Sequence, residues 1–316
     1  MSERNFYNIE GRVLSTPNKA VDPETKAAEE TMVANFMREL AAAGKDSIPG
    51  ELFKTDGEKL MIRHFNEDIK AEALAAGVTN LRPPVPIKKI HFALPGGYQK
   101  QFPDSKEKIK GHHALFSDAI FIKKNKEIPP LSIAHITLHE MIHAFSATRY
   151  DFDSQGRVYA VKGGYNSTLI KNNSAKSAKM TEELDDSGAE IKDLFLGFNE
   201  GVTDLMAKEI LEKHQAELSQ DLNLNIGPGD LANLEFHNYC PWVDWIVEKV
   251  AKNNQEDKAV VWNKFKAGML NGTIMHLRDI EKTLGPNSLR LVANIGLSKE
   301  DNLAFKELMK NYDQNK

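Results

Sequence analysis

The chain reads as an α+β protein, mostly helical, with a small mixed sheet ahead of its most apolar helix. Three features carry that reading. Apolar residues recur at helical spacing toward both ends of the 316-residue chain. Runs rich in β-forming residues gather between Ile87 and Ile122. Pro129-Pro130 then opens a strongly apolar stretch, Leu131 to about Thr148, which is too long for a strand and starts with the proline expected at a helix entrance.

Taken in order, the first twenty residues read as an irregular arm. Asp22-Pro23 supplies a helix cap and a proline at the first helical position. Met32, Val33, Phe36, Met37 and Leu40 follow at helical spacing, and the pattern ends near Gly44. A second amphipathic stretch runs through Leu60, Met61, Phe65 and Ile69 and stops at Gly77. The prolines of Leu81 to Pro86 make a stiff connector. After them, Ile87 to Leu94 and Ala114 to Ile122 have strand texture, separated by a lysine-rich loop from Gln99 to Lys110. Arg157 to Tyr165 reads as a further short strand and Asn166 to Ser187 as a long polar loop. Helical spacing returns from Ile191 to Lys213, and Pro228-Gly229-Asp230 marks a turn. Beyond it Trp242, Val243, Ile246, Val247 and Val250 form one helical stripe. The expected organisation is a helical N-terminal region over 1–82, a catalytic core over 83–215 and a helical C-terminal subdomain over 216–316.

Composition narrows the function classes. Hydrophobic residues make up 41% and charged residues 27%, with a net charge of −4, so the chain can bury a core and presents no basic field for nucleic acid. Its single cysteine, Cys240, forms no internal disulfide and excludes a zinc site built on several thiolates. A lone cysteine between aromatics reads first as a small core residue. The opening MSERNFYNIE lacks a signal-peptide core and no window is apolar enough to span a bilayer, so the expected location is cytoplasmic, with no membrane partner.

The chemistry concentrates in Leu138-His139-Glu140-Met141-Ile142-His143. Histidines four residues apart on a helix project from one face and can reach the same metal ion. Glu140, between them, can stand beside the open coordination position and take a proton from water. For this motif alone, a buried histidine pair satisfied by backbone carbonyls is the competing reading. Downstream, Asn199-Glu200-Gly201-Val202-Thr203-Asp204 opens another helical pattern. Catalytic zinc commonly takes two histidines and one carboxylate, and Glu200 supplies the carboxylate. Asp204, one turn later, can accept the free N–H of a ligating histidine and fix its tautomer.

HEMIH followed by NEGVTD resembles the gluzincin group of zinc metallopeptidases, the clan typified by thermolysin. The resemblance covers roughly a dozen residues and their order. It implies a zincin-type fold with one Zn2+ per chain, held by His139, His143 and Glu200. Glu140 would be the general base that activates zinc-bound water in hydrolysis of a peptide or protein substrate. Asp204 would hold His139, and the backbone carbonyl of Asn199 would orient His143. An edge strand ahead of the active-site helix would bind substrate backbone, and Gly111 to Lys124 stands in that place.

The sequence also departs from the family. No motif identifies the residue that stabilises the oxyanion, for which Tyr239, His237 and Tyr165 are the candidates. The aminopeptidase signature GxMEN is absent, which favours endopeptidase action, and no third histidine follows in the metzincin position. Two rivals to the peptidase reading stand beside it. One is a catalytically silent binding or regulatory protein on the same scaffold. The other is a zinc hydrolase acting on a non-peptide bond.

Overall fold

The computed structural model describes residues 9–13, 48, 50–102, 110–114, 119–152, 158–171, 190–234 and 236–314, with parts of 27–38. Among them the architecture is α+β, with two sheets rather than the one expected. The four-stranded sheet has β2 (Glu51–Leu52), β3 (Ile90–Ala93), β5 (Ala119–Lys123) and β4 (Gly111–Ala114) in that spatial order. β3 and β5 run parallel, whereas β2 and β4 lie antiparallel to their neighbours, so this sheet is mixed. The five-stranded sheet orders β1 (Ile9–Val13), β6 (Thr148–Phe152), β7 (Val158–Gly163), β8 (Asn166–Lys171) and β9 (Glu190–Leu194). Only its β1–β6 pair is parallel.

Local chemistry explains where the helices start. Helical residues within 27–38 form α1, whose Phe36 ring packs 5.2 Å from Tyr150 and 4.9 Å from Phe152 on β6. Helix α2 (Asp56–Ala75) begins at a capping box. Thr55 Oγ1 accepts from Glu58 N, and Glu58 Oε2 accepts from Thr55 N. After the short α3 (Pro95–Gln101) comes α4 (Pro130–Phe145), entered through Pro130 as expected. It is buried almost all round, between α2 on one side and β4 and β5 on another. Arg82, in the proline-rich connector, donates to the Ala144 carbonyl and satisfies one free acceptor at the end of α4.

Helix α5 (Leu196–Lys213) runs against α4, followed by α6 (Gln215–Leu222), α7 (Pro228–Ala232) and α8 (Cys240–Asn254). The last four helices are α9 (Lys258–Asn271), α10 (Arg278–Leu284), α11 (Ser288–Ala293) and α12 (Lys299–Gln314). Phe65 of α2, Leu138 of α4, Val202 of α5 and Val243 of α8 belong to one hydrophobic cluster. Residues of all three expected regions therefore share a core.

Five local expectations need correction. The run from Ala114 to Ile122, expected as one strand, is divided, with Ala114 ending β4 and Ala119 opening the antiparallel β5. Residues 9–13 of the supposed arm form a strand, because β6 supplies ladder partners from more than a hundred residues away. The polar stretch from Asn166 begins as β8, since Gly164 (φ +59°) turns β7 back on itself and Thr168, Leu169 and Ile170 pair with β9. Glu190–Leu194 is also a strand. Its helical reading merged with α5, from which it is separated by Phe195 in the left-handed region (φ 62°). Pro228 opens a short helix rather than a turn, with Asp230 Oδ2 accepting from Gly227 N. Most of the lysine-rich loop and residues 172–187 of the polar loop lie outside the described residues.

Candidate metal centre

Helix α4 carries His135, His139 and His143 four residues apart, so their rings line one face, each edge-on to the next. Helix α5 crosses that face and presents Glu200 and Asp204 from successive turns. The close approach of α8 behind α5 requires Gly201. A Cβ there would stand 2.7 Å from Val243 Cγ2 and 3.1 Å from the Tyr239 carbonyl.

Three donor side chains converge. His139 Nε2 lies 3.0 Å from His143 Nε2 and 3.1 Å from Glu200 Oε2, while His143 Nε2 lies 3.4 Å from Glu200 Oε1. Neighbouring ligands around a four-coordinate ion with bonds of about 2.0–2.1 Å stand roughly 3.4 Å apart. The set therefore suits such an ion in donor type, number and spacing. Burial by itself would raise the Glu200 carboxyl. The charges of His143 and His139 and their hydrogen bonds outweigh it and hold the group well below the usual carboxylate range.

Behind the donors sits Asp204, fully buried. Its Oδ1 is 2.6 Å from His139 Nδ1 and 3.3 Å from His135 Nε2. Its Oδ2 accepts from the backbone N–H of His237 at 2.5 Å and pairs with His237 Nδ1 at 2.7 Å. A carboxylate on Nδ1 orients the His139 ring with Nε2 toward Glu200 and His143, where a metal could replace its proton. His135 was not singled out from the sequence, although its place four residues before His139 on the same face was a readable signal.

Asn199 acts differently from expectation. Its backbone carbonyl accepts from Thr203 Oγ1, and its side-chain Oδ1 accepts from Tyr165 N. The side-chain Nδ2 lies 3.5 Å from His143 Nδ1, so Asn199 neighbours that ring through its side chain. Glu140 points toward the edge strand β4. A Cβ on Gly111 would come within 2.8 Å of Glu140 Oε1 and 2.5 Å of Ile136 Cγ2. Within the described residues, β4 pairs with β5 alone and forms one edge of its sheet. Neighbouring side chains on β4 alternate, with His113 buried and His112 exposed against the Phe102 ring.

The three oxyanion candidates separate clearly. His237 is 48% exposed at its side chain, and its ring centroid lies 5.4 Å from that of His139. It can also join His139 and Glu200 as a metal-ligating trio. Tyr165 is buried, and its hydroxyl is committed to the Phe265 carbonyl (2.8 Å) and His276 Nε2 (2.6 Å). The Tyr239 ring lies parallel to that of His237, but its hydroxyl sits by Gly296. Cys240 is buried, and that burial pushes its thiol up to about 12, as suits a packing residue. No family model, curated protein or solved structure matches this chain. The functional reading thus rests on these side chains.

Proposed function

We propose that the protein is a zinc-dependent metallopeptidase of gluzincin type. The observation that carries this reading is the triangle of His139, His143 and Glu200 donors, backed by Asp204 on His139. When bound, zinc supplies a Lewis acid that polarises a carbonyl oxygen and lowers the pKa of water. Glu140, beside that position on α4, accepts the water proton and returns it to the departing amine. The edge of β4 next to Glu140 favours an extended peptide over other substrates, because a peptide can add to that edge as a further strand. In this reading His237, whose ring lies 5.4 Å from that of His139, is the donor to the developing oxyanion. Its hydrogen bond to Asp204 outweighs burial and raises its pKa, which favours the protonated ring.

Metal content and peptide cleavage test the reading together. Elemental mass spectrometry of purified protein is expected to find zinc in the wild type, retained by Glu140→Gln and lost from the His139, His143 and Glu200 donor set in Glu200→Ala. Cleavage of a peptide library should fall by at least about a thousandfold in Glu140→Gln. Cleavage at the wild-type rate by that variant would sink the mechanism. A wild type whose zinc is indifferent to Glu200→Ala would remove the metal site.

A further inference from the structure

A second cluster of ligating groups lies at the far end of α5. His214 sits at the α5–α6 junction, where its backbone leaves helical geometry (φ −109°, ψ 23°). Facing it, α2 presents His64 and Asp68 four residues apart, and α6 presents Glu217 and Asp221 four residues apart. Such spacing puts each pair on one helix face, so the two faces and the junction line one small pocket over an apolar floor. His214 Nε2 lies 3.4 Å from Asp68 Oδ1, and His214 Nδ1 lies 3.1 Å from Glu217 Oε2. His64 Nδ1 and Asp221 Oδ2 pair at 2.8 Å beside them. At about 1.5 Å per residue, the fourteen residues from Glu200 to His214 put this cluster roughly 20 Å from the first site.

One observation here is not explained by ion pairing. Asp68 is only 7% exposed, and its Oδ2 is buried with no hydrogen-bond partner. Native proteins rarely leave a buried carboxylate oxygen unsatisfied, and an ion or water at the site is the usual resolution. Three carboxylates crowd two imidazoles, and Lys213, beside His214 in the chain, donates to Glu72 instead. The pocket therefore carries a surplus of negative charge.

We infer that Asp68, His214 and Glu217 form a second divalent-metal site, which pins the α5–α6 junction to α2. One ligand atom from each lies within 4.8 Å of the others, within reach of a single ion. An imidazole nitrogen with two carboxylate oxygens suits zinc or a similar first-row ion, whereas calcium and magnesium prefer oxygen alone. His64 and Asp221 border the site as a hydrogen-bonded pair. The inference is independent of the peptidase reading, since it uses none of that site's residues.

Dialysis of the full chain against micromolar zinc, followed by elemental mass spectrometry, tests it. About two zinc ions per chain are expected in the wild type, and about one after Glu217→Gln or Asp68→Asn. His139→Ala/His143→Ala should keep about one, and zinc should raise its thermal midpoint. Adding Glu217→Gln should abolish both effects. Glu217 is solvent-exposed, so its variant folds even if Asp68→Asn does not, and circular dichroism checks each protein. The inference is overturned if folded Glu217→Gln and Asp68→Asn bind as much zinc as the wild type at equal affinity. It is equally overturned if folded His139→Ala/His143→Ala binds none. A chain lacking only the first site would bind one zinc sensitive to Glu217→Gln, which separates the two readings.

Discussion

Asp204 holds the site together, because one buried carboxylate meets three imidazole rings and a backbone amide. Its neighbour His139 feels burial first, which opposes a positive charge. The hydrogen bonds and charges of Asp204 and Glu200 overcome that, so the metal-free ring titrates well above 6.5. With the folded value raised, this protonated ring contributes stability that is fully present below about 6.5 and lost as pH rises through the folded pKa. Zinc needs the neutral ring and must displace that proton, so affinity falls as pH falls. Titration calorimetry at pH 7 in buffers of different ionisation enthalpy should read about one proton released per zinc at this site. No release would show that His139 is already neutral. That His139 and His143 share one helix face, and Glu200 and Asp204 another, was legible in the sequence because it follows from spacing along single helices. His237 and His135 gain their roles only by meeting Asp204 across elements, which no local pattern records.

The packing of α4 on β4 brings Glu140 against the edge of the four-stranded sheet. Gly111 permits that contact, since any side chain there would press on Glu140 and Ile136 of α4. Gly111→Ala should therefore keep its zinc yet lose peptide cleavage by about tenfold or more, through displacement of the base. Metal content measured beside kcat/KM checks this. Unchanged kcat/KM would mean that Glu140 has room to adjust. Helices were easier to read than strands in this chain. Pro130 and the apolar run of α4 mark a helix by themselves, and so does the Thr55-x-x-Glu58 box of α2. Strands β1, β8 and β9 are short and polar, and their hydrogen bonds go to partners remote in sequence or across a turn.

Across the whole molecule, α2, α5 and α9 are joined by an ionic network around the buried Lys266–Glu72 pair. Lys266, only 2% exposed, donates to Glu72 Oε2 at 2.8 Å and reaches Glu209 Oε2 at 3.1 Å. Lys213 donates to the other Glu72 oxygen at 2.8 Å. Burial would raise the Glu72 carboxyl, yet the two lysines hold it below its ordinary value. Removing Glu72 leaves Lys266 buried with Glu209 as its remaining acidic partner in this network. Glu72→Ala should then cost about 3 kcal/mol in urea unfolding, the low end for breaking a buried pair. A loss under about 1 kcal/mol would mean that Glu209 compensates. The α+β class, the α4 helix and the helical spacing of the His139/His143 and Glu200/Asp204 pairs were determined by the sequence itself, since periodicity, caps and i,i+4 spacing are local properties of the chain. The tertiary structure alone decided the second sheet, the edge position of β4 beside Glu140, the withdrawal of Tyr165 into the core and the histidines gathered on Asp204. Each of those depends on contacts between residues far apart in sequence, and such contacts exist only once the core has brought the elements together.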